Sequence, residues 1–180
     1  LRLRLRLRRI AMAEVKVEAK VVHGTFVVER SFAQPPHVVF QALSETDKVR
    51  QWMGPGEGSH LLDFQCDFRE GGLQIVKYRM GPKTPLPGVV ITNEVRFQCI
   101  ATDERIVTTS TMKRDEWIFS ASLVTFELIP AGTRTDLVIT HQGAFFEGSD
   151  GPAMRKHGWN VLADKLAGVL ATEAPAATRP

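Results

Sequence analysis

LDFQCDFREGGLQIVKYRM, residues 62–80, is the stretch that decides the fold class. Leu62, Phe64, Cys66 and Phe68 alternate with Asp63, Gln65, Asp67 and Arg69, the period of two that a strand with one buried face requires. Gly71-Gly72 supplies a turn, and Gln74, Val76, Tyr78 and Met80 then share one face while Lys77 and Arg79 take the other. The stretch predicts a β-hairpin with one apolar side, which must be covered by another layer.

Upstream, Thr25 to Phe32 is β-branched and aromatic and stops at Gln34-Pro35-Pro36, which predicts a first strand. Val39, Phe40 and Leu43 then recur at helical spacing after Pro36, and Thr46 or Asp47 caps a second short helix ending near Trp52 and closed by Gly54-Pro55-Gly56. Downstream of a Pro- and Gly-rich loop at residues 81–88, strands are predicted over Val89–Ile100, Arg105–Met112, Ser120–Ile129 and Thr135–His141, with turns at Thr102-Asp103-Glu104 and Ala131-Gly132-Thr133. A helix over Pro152–Ala171 ends the pattern, with Trp159, Leu162, Leu166, Val169 and Leu170 spaced for a buried stripe. No internal repeat interrupts this order. The expected architecture is α+β: a curved antiparallel sheet of about seven strands wrapped around a long C-terminal helix, with two short helices after the first strand.

The 180 residues suit one domain. Residues 1–12 are expected to be a non-native or disordered arm, 13–172 the domain and 173–180, rich in Ala, Pro and Thr, a disordered tail. The net charge of +3 comes from the arm, since Arg2, Arg4, Arg6, Arg8 and Arg9 contribute more than that; the body is mildly acidic, and no nucleic-acid partner is expected. No apolar run of about 18 residues spans a membrane and no signal-peptide core is visible, so the chain is expected in the cytoplasm. Cys66 and Cys99 lack zinc or redox spacing, and the five histidines show no metal-ligand pattern, so no metal, cofactor or catalytic residue is expected.

Four motifs, in order and spacing, carry a family resemblance: Thr46-Asp47 with Trp52-Met53-Gly54-Pro55; Asp67-Phe68-Arg69-Glu70-Gly71-Gly72; Gly132-Thr133-Arg134 with Leu137, Ile139 and His141; and Gly158-Trp159 with Leu166. Over most of residues 25–170 the chain resembles the SRPBCC superfamily (START-like, helix-grip) and, within it, proteins similar to the activator of chaperone ATPase. The resemblance implies a long helix across the concave face of the sheet, with a cavity between them. Members commonly carry an aromatic at the position of Gln74, a Trp near Ser110, a Leu near Ala163 and a His at the position of Arg155, so this chain is expected to have a larger cavity or one with a polar handle.

The candidate ligand-binding residues are Phe64, Phe68, Gln74, Val76, Tyr78, Met80 and Phe97 on the strands and Met154, Trp159 and Ala163 on the helix, with Trp52 and Trp117 as candidate gates. Each apolar member could equally be ordinary core. Gln74 stands out because a neutral amide on an apolar face needs a partner: Tyr78, a water or a ligand. His141 is expected to hold a hydrogen bond near the terminal helix rather than act as a base. Three functions follow: a small hydrophobic, lipid-like molecule bound in the cavity; a cyclase- or dehydratase-type enzyme in which Tyr78, Gln74 or His141 polarises a carbonyl; or a module that interacts with a chaperone partner. An exposed edge strand or the pair Phe145-Phe146 would serve a homodimer.

Overall fold

A computed structural model describes residues 20–172; the expected arm and tail lie outside the described residues. The elements run β1 (Val22–Phe32), α1 (Pro36–Ser44), α2 (Thr46–Trp52), β2 (His60–Cys66), β3 (Leu73–Arg79), β4 (Val90–Ala101), β5 (Arg105–Arg114), β6 (Trp117–Ala131), β7 (Arg134–Phe145) and α3 (Gly151–Ala171). All seven strands form one antiparallel sheet in the order β1-β7-β6-β5-β4-β3-β2. The predicted α+β helix-grip architecture is the observed one.

The hairpin differs from the period-two reading at its turn. β2 ends at Cys66 rather than Phe68, because residues 67–72 leave the ladder: the Arg69 amide donates to the Asp67 carbonyl and the Gly72 amide to the Arg69 carbonyl. Gly72 permits this, since a Cβ there would lie 2.0 Å from the Asp67 carbonyl oxygen. At the other end of the sheet β7 runs past Gln142-Gly143 to Phe145, because both β1 and β6 keep pairing with it.

Register explains where the interior has room. One transverse row of inward positions reads Cys66, Gln74, Val95, Ser110, Ser122, Gly143 and Gly24, each opposite the next across a strand pair. These side chains are small or polar. The rows on either side carry bulk: Phe97, Thr108, Val124, His141 and Phe26 on one, Val76, Asn93, Met112, Ser120 and Phe145 on the other. The paired glycines have a second use, for a Cβ on Gly24 would sit 2.6 Å from the Pro152 ring and one on Gly143 2.9 Å from the Phe145 ring. The start of α3 can therefore settle close against the sheet.

The inward side of α3 is Arg155, Trp159, Ala163, Leu166 and Leu170, at spacings of four, four, three and four. It meets the buried apolar residues of β1, β6, β7, α1 and α2, including Phe32, Val39, Leu128 and Leu137. On α2, Trp52 is buried with its indole Nε1 donating to the Ala42 carbonyl at 2.9 Å, which joins the two short helices. Lys165 of α3 donates to the carbonyls of Gly54 (3.0 Å) and Pro55 (2.7 Å) just after α2.

Candidate functional site

Between the β3–β6 part of the sheet, α2 and Trp159 of α3 lies a partly enclosed cavity of about 40 Å³. Its apolar walls include Trp52, Phe97, Ile106, Val124, Phe126 and Trp159, and its polar walls are Gln74, Asn93, Thr108 and Ser110. The space admits a few waters; ligand sites for drug-sized molecules are nearer 300–1,000 Å³. As it stands the grip is closed, and the replacement of bulk at Gln74 and Ser110 is expressed as polarity more than as volume.

The polarity is unusual in being unsatisfied. Among the described residues, the buried atoms Gln74 Nε2, Asn93 Oδ1, Ser122 Oγ and His141 Nε2 have no hydrogen-bond partner. Gln74 is 4% exposed, and its other amide atom, Oε1, accepts from the Cys66 thiol at 3.8 Å. Gln74 and Asn93 are diagonal neighbours on the inner face of β3 and β4, and Ser122 and His141 stand in the same relation on β6 and β7. An unpaired buried polar group costs on the order of 1 to 3 kcal/mol. Gln74 and Asn93 line the cavity, whereas Ser122 and His141 lie beyond β5 from them, outside its walls.

The protonation of His141 is fixed by its neighbour. Trp159 Nε1 approaches His141 Nδ1 at 3.0 Å. An indole N–H can only donate, so Nδ1 accepts and the proton of the neutral ring sits on Nε2. The ring lies parallel to Phe26, with centroids 4.7 Å apart. Burial pushes its pKa down to about 4, helped by the Arg155 charge and opposed by Asp150. At neutral pH the residue is therefore a fixed hydrogen-bond donor whose basic lone pair is already used. Burial likewise raises the Tyr78 phenol above its ordinary value, with Arg155 opposing and Asp150 adding, and raises the Cys66 thiol.

Arg155 closes this end of the interior. Its Nε and Nη2 donate to the two Asp150 carboxylate oxygens, both at 2.7 Å, and Nη2 also donates to Ser120 Oγ at 3.0 Å. The guanidinium lies 5.2 Å from the centre of the Phe145 ring. The charge is thus matched by Asp150 within the same structural corner.

The sequence-derived candidates divide by where the structure puts them. Gln74, Phe97 and Trp159 line the cavity, as does Trp52, whose tethered indole is a wall rather than a free flap. Phe64, Val76 and Ala163 are buried in the surrounding core, with Phe68 and Tyr78 packed against it. Three placements are corrected. Met154 is 56% exposed, because the presence of Arg155 on the inner stripe turns its neighbour outward. Trp117 is 62% exposed at the β5–β6 tip, outside the cavity walls. Met80 follows the end of β3 and pairs its amide with the Val89 carbonyl, also away from the walls. Phe145, offered for a homodimer, is 1% exposed and points inward. Asn93, Ser122 and Arg155 belong to the polar region and are absent from the sequence-derived site residues. The signal for Asn93 and Ser122 is register: both continue the inward parity of strands whose apolar members are recognisable.

A wider trough of about 710 Å³ crosses the solvent side of the sheet, walled by exposed Thr25, Leu73, Thr109, Leu123 and Gln142. It is open, with no enclosing layer. Among the described residues no group of His, Cys, Asp and Glu could hold a metal ion, and no helix is long and apolar enough to cross a membrane.

Compared with known proteins, residues 33–171 match the family described as activator of Hsp90 ATPase homolog 1-like protein, AHSA1. The chain belongs to this family. The AHSA1 assignment agrees with the solved structures it resembles. The Mll3558 protein from Rhizobium loti is 37% identical, with 84% of this chain and 99% of that one covered and a TM-score of 0.74. An uncharacterised protein from Rhizobium leguminosarum is 29% identical, covering 85% and 97%, with a TM-score of 0.78. DynU16, from the dynemicin biosynthetic locus, shares the fold alone, at 18% identity and a TM-score of 0.59, covering 88% of this chain and 49% of that one. No curated protein matches the chain. The AHSA1 resemblance read from the motifs is thus the family found by comparison.

Proposed function

We propose that this protein binds a small, mainly apolar molecule in the cavity between sheet and α3. The observation that carries the reading is the pair of buried, unpartnered polar atoms, Gln74 Nε2 and Asn93 Oδ1, on the walls of a small, mainly apolar cavity. Groups that the protein itself leaves unpaired are compensated if an occupant satisfies them. The volume of about 40 Å³ means that the occupant enlarges the space on binding. The site suits binding better than proton abstraction: His141 has its basic nitrogen engaged by Trp159, and the Tyr78 phenol is held protonated. The chaperone activation in the family's name is a separate reading and rests on no surface feature described above.

Native mass spectrometry of freshly purified protein, with the denatured mass alongside, tests the proposal. A retained small molecule, released on denaturation, is the expected result. A protein that carries no such molecule and takes up no member of a varied hydrophobic library would overturn it and favour an interaction role.

A further inference from the structure

The sheet side of the cavity holds two amides whose unused halves are of opposite kind. Gln74 on β3 is 4% exposed, and its Oε1 accepts from the Cys66 thiol at 3.8 Å, which leaves Nε2 as an unused donor. Asn93 on β4 presents a buried Oδ1 as an unused acceptor. Both residues line the cavity, and the pairings Gln74↔Val95 and Val76↔Asn93 make them diagonal neighbours on adjacent strands. Diagonal neighbours stand about 7–8 Å apart, within reach of amide side chains, so both can address one bound group. Yet the donor of Gln74 does not meet the acceptor of Asn93. A group set between them must accept from the first and donate to the second.

The rest of the lining describes the remainder of the occupant. Apart from the hydroxyls of Thr108 and Ser110 it is apolar, and none of the walls carries a charge. An ion brought here loses its hydration and finds no countercharge, a cost well above that of burying a neutral group. A hydrocarbon suits the apolar walls but leaves both amides unpaired. A ketone or ester accepts from Gln74 and leaves Asn93 without a donor.

We infer that the cavity selects a neutral, mainly apolar molecule whose polar group both accepts and donates, as the N–H and C=O edge of a lactam or an alcohol hydroxyl does. The accepting oxygen takes the Gln74 amide hydrogen, the donating hydrogen goes to Asn93 Oδ1, and the apolar body lies against Phe97, Phe126 and Trp159. This inference rests on the cavity-binding reading and names the chemical class of the occupant.

Five probes on one bicyclic frame separate the possibilities: oxindole and 2-indanol, which accept and donate; 2-indanone, which only accepts; indane, which does neither; and indane-2-carboxylate, which is charged. Each is titrated into the protein while the indole Nε1–H signals are followed by NMR. Binding in the cavity moves Trp52 and Trp159, which line it, and leaves Trp117, 62% exposed at the β5–β6 tip, as the control. Oxindole and 2-indanol are expected to bind about three- to tenfold more tightly than 2-indanone, the gain of one hydrogen bond. Gln74→Leu should weaken all three oxygen-bearing neutral probes about three- to tenfold while indane holds or improves. Asn93→Leu should erase the lead of oxindole and 2-indanol without weakening 2-indanone, and Asn93→Ala, which cannot crowd the space, is read in the same way. Each change removes an unpaired buried polar atom, so thermal unfolding of the ligand-free variants should stay at or above the parent's temperature. Binding of 2-indanone as tight as that of oxindole and 2-indanol, a ranking indifferent to both replacements, or tightest binding of the carboxylate overturns the chemical class and leaves the cavity reading standing. If no probe moves Trp52 or Trp159 while native mass spectrometry finds a retained molecule, the class alone fails. If both experiments find nothing bound, the cavity reading falls and this inference with it.

Discussion

The two ends of the interior are built on opposite rules. Beneath the C-terminal half of α3, Leu166 and Leu170 meet Phe32, Val39, Leu128 and Leu137, all buried and all without polar atoms in their side chains. Beneath its N-terminal half, Arg155 and Trp159 face Ser120, Ser122, His141, Gln74 and Asn93, and four polar atoms go unpartnered. The same helix and sheet supply both. The sealed end carries the stability that lets the other end keep groups no folding core would choose.

Mutation can test that division. The largest effect belongs to the sealed end. Leu166→Ala, at a position 1% exposed, should destabilise the protein by about 3 kcal/mol in urea unfolding, because both the transfer of the side chain and the void left behind count against it. Retention of a small molecule by the remaining folded protein in native mass spectrometry should be nearly unchanged; a large loss would mean that the ends are coupled.

A pH effect of similar or somewhat smaller size belongs to the polar end. His141 has a folded-state pKa of about 4 against about 6.5 when unfolded, so between these values the unfolded chain binds more protons. Its contribution is fully present above about pH 6.5, falls as the pH drops through that window and levels off below about 4. The loss amounts to roughly 3 kcal/mol, because each tenfold difference in proton affinity between the two states corresponds to about 1.36 kcal/mol. His141→Gln should flatten the stability profile between pH 4 and 6.5. Parallel profiles for parent and variant would show that the ring is not held neutral by burial.

The smallest effect has the opposite sign. Gln74→Leu should raise stability by about 1 kcal/mol in the same urea assay, since it removes an unpaired buried amide and fills its place with apolar atoms. Destabilisation would make Gln74 part of the core, and the contrast between the ends would shrink to a difference in composition.

How far the sequence reveals these ends follows from what each depends on. The sealed end is legible, since Leu166 and Leu170 lie at helical spacing and Leu137 and Ile139 alternate along a strand. The hairpin of β2 and β3 and its turn at Gly71-Gly72 are legible, while the end of β2 at Cys66 is not, because the hydrogen bonds of the Arg69 and Gly72 amides that close residues 67–72 leave no mark in the alternation. Gln74 announces itself as a polar residue on an apolar face. Ser122 and Asn93 do not, because an unmade hydrogen bond belongs to the packed structure and leaves no trace in spacing. Met154 is misplaced by a reading of spacing because an arginine looks like a solvent-facing residue, whereas the helix is rotated to put Arg155 inside. Strand β7 comes out too short because Gln142-Gly143 looks like a break until pairing on both sides is known.

The tether made by Lys165 bears on how the cavity opens. Its ammonium reaches from α3 to the carbonyls of Gly54 and Pro55, immediately beyond Trp52 and Met53. Two walls of the cavity, one on each helix, are thereby fastened to each other. A molecule that pushes either wall aside therefore strains the same two hydrogen bonds, so the opening of the cavity and the packing of α3 on α2 share one fastening.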